Sequence, residues 1–123
     1  IDLDHFKDVN DVFGHQAGDR VLYRAAQILK ETAGPGAFVG RWGGEEFLII
    51  LPSVGEDSAC REGENLRKAV EKGDFAIERY VTISLGIATM LPGDTPSTLV
   101  HRADKGLYRA KAEGRNRTVL GRE

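Results

Sequence analysis

The stretch Arg41-Trp42-Gly43-Gly44-Glu45-Glu46-Phe47-Leu48-Ile49-Ile50-Leu51 reads as a β-hairpin. Arg41 and Trp42 end one strand, Phe47 to Leu51 form the next, and the paired glycines fall in the turn between them. Glycine accepts positive φ and lets a bulky ligand approach the backbone. Two carboxylates, Glu45 and Glu46, are therefore expected at a hairpin tip, where they repel one another unless a cation sits nearby. A turn whose acids merely keep the loop solvated explains the same residues, and this stretch alone does not choose between the two readings.

Upstream, Ile1-Asp2-Leu3-Asp4 alternates apolar and acidic residues like the end of a strand, and Phe6, Val9 and Phe13 follow at helical spacing up to Gly14. Asp2 and Asp4 do not open a calcium loop. That pattern needs an oxygen ligand at its fifth position and glycine at its sixth, where this chain has Phe6 and Lys7. After a turn at Gly14-His15-Gln16-Ala17-Gly18, the residues Val21, Leu22, Ala25, Ala26, Ile28 and Leu29 make the apolar face of a second helix ending near Gly34. Asp19 is placed at its start, where an acid favours the helix dipole.

Downstream, Gly34-Pro35-Gly36 breaks the chain before the hairpin and Pro52 closes its second strand. Glu56 to Lys72 predicts a third helix with Ala59, Leu66, Ala69 and Val70 inward, weakened by Gly63 and stopped at Gly73. Cys60 within it reads as half-buried packing. The β-branched run from Tyr80 to Thr89 predicts a central strand, with a short one at Phe75 to Ile77 before it. Thr95-Pro96 opens a last helix with Leu99, Ala103, Leu107 and Ala110 on its face and Gly114 at its end. Lys111 lies in the last turn and Arg115 just beyond, where cations ordinarily answer the helix dipole. Arg117 to Leu120 predicts a final short strand. This order of elements fits an α+β fold, helices covering a mixed sheet, in one domain over residues 1–123.

A chain of 123 residues with 41% hydrophobic and 29% charged composition has apolar content for one core. A net charge of −2 gives no global basic field for gripping long nucleic acid, so any phosphate binding must be local. The single cysteine, Cys60, excludes an internal disulfide and a cysteine-based zinc site and fits a reducing compartment, so a cytoplasmic location is expected. No apolar run approaches membrane-spanning length. The chain opens in what reads as the middle of a strand, and an N-terminal segment is expected to precede it.

Individually ordinary, the polar candidates converge. Asp2 at a strand end and Glu45 at a hairpin tip meet at the rim of such a sheet, with Lys7, Lys111 and Arg115 supplying cations from two helices. Magnesium takes a few carboxylates and fills its other positions with water and phosphate oxygens, so this set suits a nucleoside triphosphate. Neither a Walker-type lysine loop nor a dinucleotide fingerprint is present. Four motifs then occur in order: Asp2 to Asp11, Gly14 to Asp19, Gly43-Gly44-Glu45-Glu46-Phe47, and Ala103 to Lys111 running into Gly114-Arg115-Asn116. Together, over essentially the whole chain, they resemble the GGDEF-domain diguanylate cyclases, with the signature in its Glu form.

The resemblance implies a fold similar to nucleotide cyclases and polymerase palms, with the signature on a β-hairpin turn. It implies condensation of two GTP molecules into cyclic di-GMP and two pyrophosphates across a homodimer. By motif position Asp2, Glu45 and the Leu3 carbonyl would hold Mg2+, or Mn2+, since both suit oxygen ligands. Glu45 would also help deprotonate the attacking 3′-hydroxyl, with Glu46 tuning the site from beside it. Lys7, Lys111 and Arg115 match phosphate-contacting positions, Lys7 serving the chemistry alongside Glu45. Asn10 and Asp19 match guanine-reading positions: a carboxylate accepts from both N1–H and the exocyclic amine of guanine, donors that adenine does not present as a pair. Phe6 and His15 would border the nucleotide, although a structural turn histidine explains His15 equally well.

Two departures stand out. The family's Arg-x-x-Asp product-binding slot holds Gly34-Pro35-Gly36-Ala37, which predicts no feedback inhibition through that site. The family's helix and Asp-x-Leu-Thr-Gly-Leu-x-Asn-Arg stretch are expected upstream, together with a sensory or receiver region that arranges the dimer. The competing readings are a non-catalytic module that binds GTP or cyclic di-GMP and a purely structural dimerisation domain.

Overall fold

The structure, a computed structural model, describes residues 1–122. Its sheet is built from β1 (Asp2–Leu3), β2 (Phe38–Gly43), β3 (Glu46–Ile50), β4 (Ile83–Ile87) and β5 (Arg117–Leu120), in the spatial order β2-β3-β1-β4-β5. Short β1 takes the central position, antiparallel to both neighbours, with Asp2 opposite Glu46 on one side and Ser84 on the other. β2 and β3 are antiparallel, whereas β4 and β5 are parallel and therefore need a crossover. Helix α4 (Pro96–Ala112) provides it, after α1 (Phe6–Phe13), α2 (His15–Ala33) and α3 (Glu56–Glu71).

Alternation along β4 sorts the layers. Ile83 and Leu85 enter one core with Leu3, Phe47, Val9 of α1, Val21, Ile28 and Leu29 of α2, and Leu66 and Val70 of α3. Ser84 and Gly86 point to the other face, where the backbone of α4 lies against Gly86 and Leu107 and Ala110 are buried. Burying each of Leu29, Ile83 and Val21 contributes about 1.5–3 kcal/mol of hydrophobic stabilisation. Because β1 lies at mid-sheet, its acid Asp2 is only 5% exposed, and Asp4 just after it 8%.

The expected elements form, with four differences. The strand read over Tyr80 to Thr89 is confined to Ile83–Ile87, the part that faces β1 and β5. No strand forms at Phe75 to Ile77, because the Asp74 side chain takes the Ala76 N–H at 2.9 Å and Ala76 sits at φ 58 while Phe75 turns into the core. Helix α2 starts at His15, directly after Gly14, so Asp19 stands exposed in its second turn rather than at its start. Finally, Gly43 still belongs to β2 and Glu46 already to β3, which leaves Gly44-Glu45 as the turn and a single acid at the tip.

Candidate functional site

A strand that ends where a helix begins makes the first wall. His5, at φ 54, swings the chain from β1 into α1. Along this corner Asp2, Leu3, Asp4, His5, Phe6, Lys7 and Asp8 line a cavity of about 250 Å³. Glu45, Lys111 and Arg115 line it from the hairpin tip and the end of α4. The tip is aimed by local chemistry. Register slips between Arg41 and Gly43, leaving Trp42 as the extra residue of a bulge; Gly44 takes φ 45; and the Arg41 Nε–H donates to the Gly44 carbonyl at 2.8 Å. The Leu3 N–H donates to the Glu45 carbonyl at 3.2 Å, which ties the tip to β1.

Asp2 is the most constrained acid in the cavity. Its Oδ2 accepts from the Lys111 ammonium, while Oδ1 is buried with no hydrogen-bond partner among the described residues. Leaving such an acceptor unsatisfied costs about 1–3 kcal/mol, a penalty that a bound cation removes. Two residues that line the cavity with Asp2 and could offer oxygen ligands, Leu3 through its carbonyl and Glu45 through its carboxylate, have the chemistry that hard divalent cations require. No cluster of three or more His, Cys, Asp and Glu suited to a metal occurs among the described residues. A divalent cation held by only two carboxylates fills its other positions with water and ligand oxygens.

Asn10, His15 and Asp19 do not line this cavity. They extend from it along α1 and α2, and Phe6 makes the connection by lining the cavity while its ring also abuts Gly18. A Cβ on Gly18 would lie 1.8 Å from Asn10 Oδ1 and 3.2 Å from the Phe6 ring, so only glycine lets α2 come this close to α1. His15 and Asp19 are exposed on α2 on either side of that contact. Glu46 is half-buried at the start of β3, opposite Asp2 in the register, and is not among the residues that line the cavity.

Asp4 matters more than its sequence suggests. Its Oδ1 accepts from Ser84 Oγ at 2.7 Å, and its Oδ2 accepts from Thr82 Oγ1 at 2.8 Å and the Asn116 N–H at 2.9 Å. It thus pins β4 and the loop after α4 to β1. The available signal was Thr82 and Ser84, hydroxyls two apart on one side of a strand, which need an acceptor when buried. That loop turns sharply: the Arg115 N–H donates to the Ala110 carbonyl at 2.9 Å, and Arg115 and Asn116 sit at φ 66 and 47. Non-glycine residues in this region cost on the order of 1–3 kcal/mol each and persist only when surroundings impose them. Cys60, by contrast, has its thiol pushed up by burial and then by Glu56 and Asp57, in keeping with a packing role.

The family model described as diguanylate cyclase, GGDEF domain, matches residues 1–117. The chain belongs to the GGDEF family. It is 41% identical over 119 residues to diguanylate cyclase DgcM of Escherichia coli K12, covering 97% of this chain and 29% of that protein. It is 43% identical over 125 residues to response regulator PleD of Caulobacter vibrioides, covering 97% of this chain and 28% of that one. The GGDEF chain thus spans less than a third of these curated relatives. Among solved structures, the active GGEEF domain of a diguanylate cyclase from Vibrio cholerae superposes with a TM-score of 0.92 at 34% identity, covering 99% of this chain and 80% of that chain. No helix among the described residues is long and apolar enough to cross a membrane.

Proposed function

We propose that this GGDEF domain is a diguanylate cyclase that condenses two GTP molecules into cyclic di-GMP and two pyrophosphates. The observation that carries the reading is the shared cavity: Asp2 and Glu45 line it together with Lys7, Lys111 and Arg115, and one buried oxygen of Asp2 has no hydrogen-bond partner among the described residues. Acids beside bases in one small cavity suit a triphosphate accompanied by a divalent cation. Asp2, Glu45 and the Leu3 carbonyl would hold Mg2+ or Mn2+, which supplies charge neutralisation at the phosphoryl oxygens and acidifies the attacking hydroxyl.

The side chains divide the remaining work. Glu45 accepts the 3′-hydroxyl proton as that oxygen attacks the α-phosphorus in line; the bond to the β-phosphate oxygen breaks and pyrophosphate leaves. Lys7, Lys111 and Arg115 spread the charge that builds on the leaving group. Asn10 and Asp19 read the guanine edge, with Phe6 and His15 bordering the nucleotide. One cavity holds one GTP, so two copies must face each other with their nucleotides antiparallel, and catalysis proceeds in a homodimer arranged by an upstream sensory or receiver region in the cytoplasm. Residues 1–123 act as one domain in this scheme.

The test is GTP turnover by the full-length protein with Mg2+, read by product chromatography. Cyclic di-GMP formation that stops when the metal is chelated, and that falls by about 10³-fold or more in Glu45→Gln, is the expected result. Tight GTP binding without turnover would replace this reading with a nucleotide-binding regulatory module.

A further inference from the structure

Of the cavity cations Lys7, Lys111 and Arg115, only Arg115 lies outside every helix and strand. Its guanidinium makes no hydrogen bond or ion pair among the described residues, while the backbone beneath it is held in the left-handed region at φ 66, followed by Asn116 at φ 47. The hold comes from Asn116 and reaches across the molecule to α3. Arg67 on α3 donates from one terminal nitrogen to Asn116 Oδ1 at 3.0 Å, and Asn116 Nδ2 donates to Glu71 Oε2 at 2.6 Å. The Asn116 N–H is taken by Asp4 at 2.9 Å, so both ends of the side-chain amide and the backbone N–H are fixed. Arg67 is itself oriented by a fork onto Glu64, with distances of 2.9 and 3.0 Å, and its side chain is only 15% exposed.

We infer that Arg67 and Asn116 are positioning residues: acting through the strained loop, they hold Arg115 over the cavity so that its free guanidinium meets the terminal phosphates of a nucleoside triphosphate. α3 lines no part of the cavity, yet it supplies the anchor. A loop tied down only for stability would not combine a fully engaged Asn116 with a neighbouring cation left unengaged at the cavity. The inference rests on the GTP reading of that cavity.

The experiment compares GTP and GMP binding by calorimetry, with Mg2+, in the full-length protein. Arg115→Ala should weaken GTP about tenfold and leave GMP within about twofold; Arg67→Ala should do the same, and the double variant should bind GTP no more weakly than Arg115→Ala alone. Asn116→Gly retains a backbone at ease with positive φ and the Arg67–Glu64 pair, so it reads the same selective loss if Arg67→Ala folds poorly. Additive losses in the double variant, equal losses for GTP and GMP, or an unchanged GTP affinity in Arg67→Ala and Asn116→Gly overturn the inference while wild-type GTP binding stands. A wild-type protein that binds no GTP overturns the cyclase reading, and this one with it.

Discussion

Helix α4 supplies the base of two acid–base pairs, Arg102 with Asp94 and Lys111 with Asp2, and they are built on opposite plans. Near its start, Arg102 grips Asp94 through both terminal nitrogens at 2.7 Å, with the two side chains 7% and 6% exposed. The remaining capacity of Asp94 is used by the Leu91 N–H at 2.7 Å and Thr98 Oγ1 at 2.9 Å, and Arg102 also donates to the Thr89 carbonyl at 2.8 Å. At the other end Lys111, 35% exposed, touches a single oxygen of Asp2, and the second has no hydrogen-bond partner among the described residues. A planar fork saturating a carboxylate fixes geometry; an ammonium on a flexible stem can yield its oxygen to another cation. The first pair anchors the entry to α4, beside the Thr95–Thr98 capping box, and the second belongs to the site.

The largest expected effect separates the pairs by activity. Asp2→Asn should lower cyclic di-GMP synthesis by about 10³-fold or more while shifting the thermal midpoint by only about 2 °C, because no saturated network is lost. Asp94→Asn should reverse the pattern: the midpoint falls by roughly 5–10 °C and turnover per folded molecule is retained. Parallel scanning calorimetry and GTP turnover on the two variants check this, and an Asp2 variant that unfolds would erase the contrast.

Acid sharpens the same comparison. Hydrogen bonds from Arg102, then from the Leu91 N–H, hold the Asp94 carboxyl well below the usual carboxylate range. A group whose folded pKa is depressed stabilises fully above its unfolded value, about 3.9, and loses that contribution as pH falls toward the folded value. Melting temperatures should therefore drop as pH falls below about 4, and Asp94→Asn should flatten this limb. An equally steep limb in the variant would assign the acid sensitivity elsewhere.

A smaller change probes the extension of the site along α2. Gly18→Ala puts a methyl where Asn10 Oδ1 stands, 1.8 Å away, so Asn10 must move. The KM for GTP should rise about tenfold with less change in kcat, since binding rather than chemistry is touched. A wild-type KM would show that Asn10 has no part in holding the nucleotide.

What could be read in advance follows from range. Helix faces, the capping Thr95-Pro96 and the hairpin are set by neighbours, and Asp2, Lys7, Glu45, Lys111 and Arg115 were found by motif and do share one cavity. Two-residue β1 as the centre of the sheet was not legible, because pairing partners Glu46 and Ser84 lie far along the chain. The tie from Asp4 to Asn116 spans 112 positions and that from Arg67 to Asn116 spans 49, distances over which no periodicity speaks. The β-propensity of Tyr80 to Thr89 overreached because propensity marks residues able to pair, whereas strand length is set by the partners β1 and β5 provide.

The smallest expected effect is none at all, at a place where an acid–guanidinium pair is absent. Gly34-Pro35-Gly36-Ala37 follows α2 as a tight turn, with Gly34 at φ 84 and the Ala37 N–H donating to the Gly34 carbonyl at 3.3 Å. None of these four residues carries a charge or a side-chain donor, so the loop has no fork for a phosphate and no acceptor for a guanine edge. Added cyclic di-GMP should leave the initial rate of GTP turnover unchanged apart from competition at the cavity itself, which excess GTP relieves. Noncompetitive inhibition that persists at saturating GTP and is abolished by a substitution near this loop would show that a product site can be built there without the pair.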